Sequence, residues 1–274
     1  MIGRKIDVLD LGFVRLVDAM PHEVDRGDTR IAEFARNSDV RAKQKNSDAG
    51  LIEHLIRHRH TSPIEGPVFL FHCKMPMSTA RQWVRHRTAS LNEQSTRYTE
   101  VDETKDGFYM PVPERYRTQD MKNRQGSSET PINDVEAAMA SRLRVRDFVF
   151  QEYRYQVHAL GVARELARDV LGLATYTQWY WQINLHNLFH FLGLRDEPHA
   201  QFEIRQYAKA MIELITPYVP FAVASWEKWR AIDWAMRNTV VDLLQEYVDP
   251  ASSADSDKIV RALLELYRME NPYT

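Results

Sequence analysis

Two short apolar stretches, separated by long helical patterns, restrict the fold of this 274-residue chain more than any other feature. The stretches PVFLFHCKMP (67–76) and TYTQWYWQI (175–183) are rich in aromatic and β-branched residues, which is typical of strands. Apolar residues at helical spacing occupy much of the chain around them. Because strands and helices come in runs, without regular βαβ alternation, the sequence predicts an α+β fold.

The same periodicity predicts the remaining elements. Residues 4–20 indicate a β-hairpin interrupted at Gly12, and residues 28–60 are helical. Further helices are predicted at 78–87, from 132 to about 160, at 161–171, 184–194 and 199–218, and in a charged tail from about 230. Ser62 and Ser78 are expected to be helix N-caps, Gly193 to end a helix, and 101–131 to consist of polar loops.

Composition excludes several classes of protein. The formal net charge is −2, whereas a chain that binds polyanions over its whole surface would have a positive net charge. The one cysteine, Cys73, permits no internal disulfide, and the start MIGRKIDVLDLGF lacks the apolar centre of a signal peptide. No apolar run approaches the roughly 20 residues of a membrane span. We therefore expect a protein of the reducing cytoplasm.

Common catalytic motifs are also missing. The sequence contains no GxG, no P-loop, no GxSxG and no CxxC. Cys73 lies within an apolar run, where a packed thiol is far more common than a nucleophile. His186 and His190 have the i, i+4 spacing of metal ligands, but the text HNLFH lacks the acid of HExxH. A hydrolase with a metal on His186, His190 and His199 stays open as an alternative.

The segment RHRTASLNEQSTRY (85–98) concentrates positive charge in a small region. No lysine occurs between Ser78 and Tyr98, and Glu93 is the one acid there. The arginines of this region are Arg81, Arg85, Arg87 and Arg97. Because a solvated face usually mixes lysine with glutamate, this composition favours an anion-binding site over a merely exposed surface.

Spacing inside the segment suggests how an anion would be held. Gln82 and His86 are four residues apart on a predicted helix and share a face. If 94–98 is a strand, Ser95 and Arg97 also point to one side, where a hydroxyl and a guanidinium suit a phosphate. A nucleic-acid-binding module, with RQWVRHR as a basic helix, remains an alternative interpretation of the same residues.

The segment 85–98 also resembles a known family. RHRTASLNEQSTRY matches the RHRxxSxNExSxRY signature of the flavin-dependent thymidylate synthases at every fixed position. Other similar blocks are the opening hairpin, RHRHTSPIEG, FYMPVPERY, ARELARDVL and WQINLHNLFHFLGLRDEPHAQFEIRQYA. The resemblance implies a synthase domain over 1–229 and leaves 230–274 as a helical C-terminal extension.

What the resemblance implies is specific. It implies a homotetramer with a mixed or antiparallel central sheet flanked by helices, and active sites shared between subunits. The implied activity is reductive methylation of dUMP to dTMP with 5,10-methylenetetrahydrofolate as the one-carbon donor. The implied redox cofactor is FAD and the implied reductant is NADPH, with neither a nucleic acid nor a membrane expected as partner. Pyrimidine activation is implied to need no enzyme nucleophile.

Site residues follow from the resemblance position by position. The implied dUMP contacts are Gln82, Arg85, Glu93, Gln94, Ser95, Thr96, Arg97, Arg168 and Arg195, with Ser95 and Arg97 at the phosphate. The implied FAD contacts are Ser38, His60, Ser62, Arg85, His86, Arg87, Glu93, Asn184, His186 and His190, with His60 and Ser62 from a neighbouring subunit. Arg195 is the implied catalytic residue, which favours the N3-ionised pyrimidine. Two positions depart from the family. His186 stands where the family commonly has arginine, and Gly66 stands where it often has histidine.

Three of these residues have ordinary structural interpretations. His190 on an apolar helix is typical of a core histidine. Arg195 could complement the dipole at a helix C-terminus. Arg168 could form a surface ion pair with Glu165 or Asp169. The family resemblance favours the functional role in each case.

Overall fold

The computed structural model describes residues 2–38, 47–104, 106–121 and 123–247, with side chains described up to residue 236. The chain forms two compact units, and the boundary between them falls between Val223 and Ala224. In the described part, no helix is both long enough and apolar enough to cross a membrane.

Five strands form the main sheet, and every pairing between them is antiparallel. The strands of the chain are β1 (Lys5–Val8), β2 (Gly12–Met20), β3 (Val68–Pro76), β4 (Ser90–Glu93), β5 (Arg117–Gln119), β6 (Ser127–Pro131) and β7 (Tyr176–Asn184). The sheet order is β1-β2-β3-β7-β4, and β5 with β6 forms a separate hairpin. This sheet with its helices confirms the α+β prediction, and it is antiparallel rather than mixed in direction.

Helices account for most of the remaining described chain. They are α1 (Arg26–Asn37), α2 (Asp48–Arg57), α3 (Met77–Trp83), α4 (Val135–Arg154), α5 (Arg164–Ala167), α6 (Leu185–Arg195), α7 (Phe202–Ile215) and α8 (Pro220–Tyr247). Short 3₁₀ turns at Ser62–Glu65, Pro113–Arg115 and Arg168–Val170 and a π turn at Tyr155–Ala159 complete the list. The predicted hairpin, both apolar strands and the long helix after 132 are thereby confirmed.

The core forms on one face of the sheet, where alternate residues of β3 are buried. Cys73 of β3 lies opposite Trp179 of β7, and both are completely or almost completely buried. Trp83 of α3 packs edge-on against Trp179, with ring centroids 5.4 Å apart, and stacks on Phe191 of α6 at 5.0 Å. This aromatic cluster fixes the end of α3 against the sheet and so positions the arginine-rich segment that follows.

Two predicted caps are wrong. Ser62 begins a 3₁₀ turn whose N-cap position is Thr61, and no side chain of the described residues caps it. Ser78 lies inside α3, which has Pro76 at its N-cap position. The N–H of Ser78 donates to the carbonyl of Leu173 at 2.9 Å, so a distant backbone segment satisfies the start of this helix.

Other boundaries also differ from the prediction. Gly193 lies within α6, which continues to Arg195 because the helix packs its buried Phe191 and Leu192 against the core. The predicted polar loop 101–131 contains the β5–β6 hairpin. The predicted helix at 161–171 is limited to α5 and one 3₁₀ turn. The predicted helical tail is described to Tyr247, and its remainder lies outside the described residues.

Candidate active site

The signature segment is attached to the sheet at its outer edge. After α3 the chain forms β4, which pairs with β7 so that Glu93 lies opposite Trp179. The N–H of Gln94 donates to the carbonyl of Gln178 at 2.9 Å, and the Gln178 side-chain amide donates to Gln94 Oε1 at 2.5 Å. Glu93 and Gln94 are therefore held in place by backbone and side-chain contacts to one strand.

The residues after Gln94 form a turn, so the conditional prediction of a strand at 94–98 is wrong. Ser95 Oγ accepts a hydrogen bond from the N–H of Arg97 at 3.3 Å, a local contact typical of serine in turns. Ser95 and Arg97 consequently do not share one face of a strand. The Arg97 guanidinium instead donates to Glu165 at 3.0 Å, in an exposed ion pair.

An open cleft of about 580 Å³ lies beside this turn, and we call it the signature cleft. Its lining is Met77, Glu93, Gln94, Ser95, Thr96, Arg168, Asp169, Leu171 and Thr177. Arg168 donates to Thr96 Oγ1 at 3.4 Å, and the Thr177 hydroxyl donates to Glu93 at 2.6 Å. The structure thus brings five of the predicted dUMP contacts together around one cavity, and the observed partner of Arg168 is Thr96, not Glu165 or Asp169.

A second group of predicted residues, the Arg195 cluster, consists of Gln82, His86, His190 and Arg195. Arg195 Nε donates to His86 Nε2 at 3.0 Å, and Arg195 Nη2 donates to the carbonyl of Gln82 at 3.4 Å. The rings of His86 and His190 lie edge to face with centroids 5.9 Å apart. His190 is exposed, so its interpretation as a core histidine is wrong.

The electrostatics of this cluster keep His86 neutral. Burial, the Arg195 guanidinium and then His190 lower the pKa of His86 to about 4. Burial also lowers the pKa of Arg195 below its ordinary value. Because Nε2 of His86 accepts the Arg195 hydrogen bond, the imidazole proton resides on Nδ1.

Two further predicted residues flank His86. Arg85 and Arg87 are both exposed, and neither guanidinium has a hydrogen-bond or ion-pair partner among the residues that the structure describes. A pair of unpaired guanidiniums two residues apart is available to an anionic ligand.

The remaining predicted FAD contacts are more dispersed. Asn184 caps α6, since its side chain accepts from the N–H of Asn187 at 2.9 Å, and His186 follows in the first turn of that helix. Ser38 ends α1, whereas His60 and Ser62 lie at the 3₁₀ turn that contacts α1 and α6. In the described part of the chain, no hydrogen bond or ring contact joins Ser38, His60 or Ser62 to the Arg195 cluster.

Sequence reasoning missed two polar residues that contact predicted ones, and a third that contacts one of these two. Thr177 holds Glu93, and Gln201 accepts a hydrogen bond from the side chain of Gln82. Glu203, which is buried, accepts from Gln201 at 2.7 Å. These residues could have been noticed because they are polar and lie in an apolar strand or at the beginning of a helix. Their partners could not be predicted, because they are far away in sequence.

Metal-binding side chains do not converge in the described residues: they contain no group of three or more His, Cys, Asp or Glu side chains that could hold a metal ion. His199, the third ligand of the metal-hydrolase alternative, instead contacts Glu197 at 2.5 Å.

Fold and site together define an α+β protein with an arginine-rich candidate site at the edge of an antiparallel sheet. The family model described as "Thymidylate synthase complementing protein" matches residues 15–221. A flavin-dependent thymidylate synthase from Gluconobacter oxydans is 46% identical over 229 residues, covering 82% of this chain and 73% of the relative. One from Thermus thermophilus is 49% identical over 225 residues, covering 81% of this chain and 78% of the relative.

The chain is also similar to a solved structure. The UMP/dUMP methylase PolB from Streptomyces cacaoi, bound with 5-Br UMP, superposes with a TM-score of 0.71 at 32% identity. The match covers 81% of this chain and 97% of that one. The chain belongs to the flavin-dependent thymidylate synthase family, which confirms the resemblance seen in the sequence.

Proposed function

We propose that this protein is a flavin-dependent thymidylate synthase that converts dUMP to dTMP by reductive methylation. The observation that carries the proposal is the signature cleft, where Glu93, Gln94, Ser95 and Thr96 converge with Arg168. Its volume of about 580 Å³ suits a mononucleotide. Relatives named for thymidylate synthesis and a neighbour bound with 5-Br UMP support the same substrate class.

The phosphate of dUMP binds at the Ser95 turn. Arg168 supplies a guanidinium at the cleft wall, and the hydroxyls of Ser95 and Thr96 supply neutral donors. Arg97 is held by Glu165 in an exposed ion pair, and such pairs contribute only roughly 0–1 kcal/mol. Arg97 can therefore leave Glu165 and turn to the phosphate at small cost.

Arg195 activates the uracil ring. A cation that is already fixed and partly dehydrated stabilises developing negative charge at N3 and O2 with little reorganisation. The contacts of Arg195 to His86 and to the Gln82 carbonyl provide this fixation. A thiol nucleophile is not required, and the completely buried Cys73 could not provide one.

The donor set fits FAD as the resident cofactor. The two phosphates of a dinucleotide need cations, and Arg85 and Arg87 are exposed guanidiniums without a partner in the described residues. His86, His190 and Glu93, with Asn184 and His186 at the start of α6, would contact the rest of the molecule. When bound, the flavin supplies the hydride for the methylation. NADPH is the proposed reductant, and 5,10-methylenetetrahydrofolate the proposed one-carbon donor.

Assembly as a homotetramer with shared active sites is part of the proposal. No hydrogen bond or ring contact joins Ser38, His60 or Ser62 to the Arg195 cluster in the described part of one chain, and in this proposal a neighbouring subunit brings these residues to the flavin. Val145 and Phe148 of α4 are 51% and 66% exposed, and apolar side chains with this exposure are available for contacts between subunits. Residues 1–229 form the proposed synthase domain and 230–274 its C-terminal extension. The single cysteine supports the cytoplasm as its location.

The visible absorption spectrum of the purified protein, before and after anaerobic NADPH and with or without dUMP, tests this function. We expect a flavin band that NADPH bleaches, with faster bleaching when dUMP is present, and formation of dTMP once methylenetetrahydrofolate is added. A protein that takes up no FAD, or that leaves dUMP unchanged, would refute the proposal.

Arg168→Ala tests the substrate site separately. Loss of a charge-assisted contact to phosphate weakens dUMP binding about 10- to 100-fold. Arg124→Ala removes an exposed arginine of the β5–β6 hairpin and serves as the matched control, with dUMP binding unchanged.

A further inference from the structure

A buried carboxylate connects by hydrogen bonds to Gln82, one of the predicted dUMP contacts. Glu203, in the first turn of α7, is only 6% exposed. Its Oε1 accepts from the Tyr109 hydroxyl at 3.0 Å, and Arg115 Nε lies 3.8 Å from the same oxygen. Its Oε2 accepts from the side-chain amide of Gln201 at 2.7 Å. Burying a charge is costly, so a buried carboxylate requires hydrogen bonds and opposite charges that compensate it, and these partners fix its position.

The hydrogen bonds continue from this carboxylate to Gln82. Gln201 Oε1 accepts from Nε2 of Gln82, which is half-exposed on α3. Gln82 also provides the backbone carbonyl that holds Arg195. We call Gln82, Gln201 and Glu203 the glutamine relay, since it connects a buried charge to a residue assigned to dUMP.

The carboxylate sets the direction of every hydrogen bond in the relay. An ionised carboxylate only accepts, so Gln201 must turn its NH₂ group to Glu203 and its oxygen to Gln82. Gln82 must then donate to Gln201. Burial and the neighbouring carboxylate raise the pKa of Tyr109, so this phenol stays protonated and donates its O–H to Glu203. One side-chain N–H and the side-chain oxygen Oε1 of Gln82 are left for a ligand.

We propose that Gln201 and Glu203 are positioning residues that fix the amide of Gln82, so that its carbonyl oxygen and one N–H are presented to dUMP. The inference rests on the proposed function, because it takes Gln82 as a dUMP contact. A glutamine without the relay could bind in either of two amide orientations, and the wrong one would place two N–H groups where an acceptor is needed. Fixing the side chain beforehand also removes a conformational cost from substrate binding.

Gln201→Met tests the inference directly, because it keeps the side-chain length and removes both hydrogen bonds at an exposed position. Calorimetric titration of the holoenzyme with dUMP should show about tenfold weaker binding. The KM for dUMP should rise similarly, with kcat within about threefold. Tyr109→Phe is the matched control, because it removes the other hydrogen bond of Glu203 and leaves the relay intact. Its dUMP affinity should stay within about twofold.

A double-mutant cycle separates positioning from a general structural effect. If Gln201 acts only through Gln82, the variant Gln82→Met/Gln201→Met binds dUMP no more weakly than Gln82→Met alone. Additive losses, or a Gln201→Met enzyme with wild-type affinity, would overturn the relay while the wild-type enzyme still binds dUMP. A wild-type protein that fails to bind dUMP would overturn the proposed function and the relay with it.

Discussion

Arg195 Nε lies 3.0 Å from His86 Nε2, and this hydrogen bond joins the C-terminal residue of α6 to the segment after α3. The contact connects two residues that are 109 positions apart in the chain. It holds the guanidinium at a half-buried position where a fixed cation is effective. The residue assigned to uracil activation is thus supported by one that is assigned to the flavin.

Arg195→Ala should retain FAD and lose most turnover. Removing one preorganised electrostatic donor typically costs a factor of about 10² to 10³ in rate. Steady-state dTMP formation gives the rate, and the visible spectrum gives the flavin content. Arg124→Ala, on the exposed β5–β6 hairpin, should be unaffected in both. Normal dTMP formation by Arg195→Ala would show that the arginine is not catalytic.

His86 should remain neutral down to a pH of about 4. Its pKa in the folded protein is about 4, whereas an ordinary histidine has 6.5. Between these values the unfolded chain binds the extra proton, so this residue makes the free energy of unfolding increase with pH from about 4 to 6.5. NMR titration of the imidazole resonances measures the pKa. The resonance that disappears from the spectrum of the His86→Gln variant belongs to His86. A midpoint near 6.5 would contradict the Arg195 contact.

Thr177→Val should weaken dUMP binding several-fold. The Thr177 hydroxyl donates to Glu93 at 2.6 Å, and valine of the same shape leaves that carboxylate free to move. Thr175→Val is the matched control, because the Thr175 hydroxyl is completely buried and has no hydrogen-bond partner among the described residues. We expect Thr175→Val to bind dUMP normally and to be at least as stable as the wild type. Equal affinities in the two variants would exclude a role for Thr177 in orienting Glu93.

Cys73→Ala should retain turnover within about threefold. Burial raises the pKa of the Cys73 thiol, and the side chain packs in the sheet core rather than in the signature cleft. The cavity left by sulfur should lower the free energy of unfolding by about 1–2 kcal/mol. Urea unfolding measures the stability, and a thiol reagent should modify the wild type only after unfolding. Rapid modification of the native protein would reopen the question of a thiol nucleophile.

The sequence by itself determined the elements whose signals are local. Residues 67–76 and 175–183 have strand composition, and the hairpin at 4–20 and the helix after 132 follow from periodicity within a single segment. Four residues of the signature cleft, Glu93 to Thr96, were also identifiable, because the pattern at 85–98 is continuous in sequence. For these features, the information lies within about 20 residues of the feature itself.

The tertiary structure decided what depends on partners far along the chain. A backbone carbonyl at Leu173 caps α3, so Ser78 does not. Core packing carries α6 past Gly193 to Arg195. The relay pairs Gln82 with Gln201, 119 residues later, and no local pattern marks that contact. Such contacts form only when the sheet and its helices pack together, because packing is what brings groups that are distant in the chain within hydrogen-bonding distance.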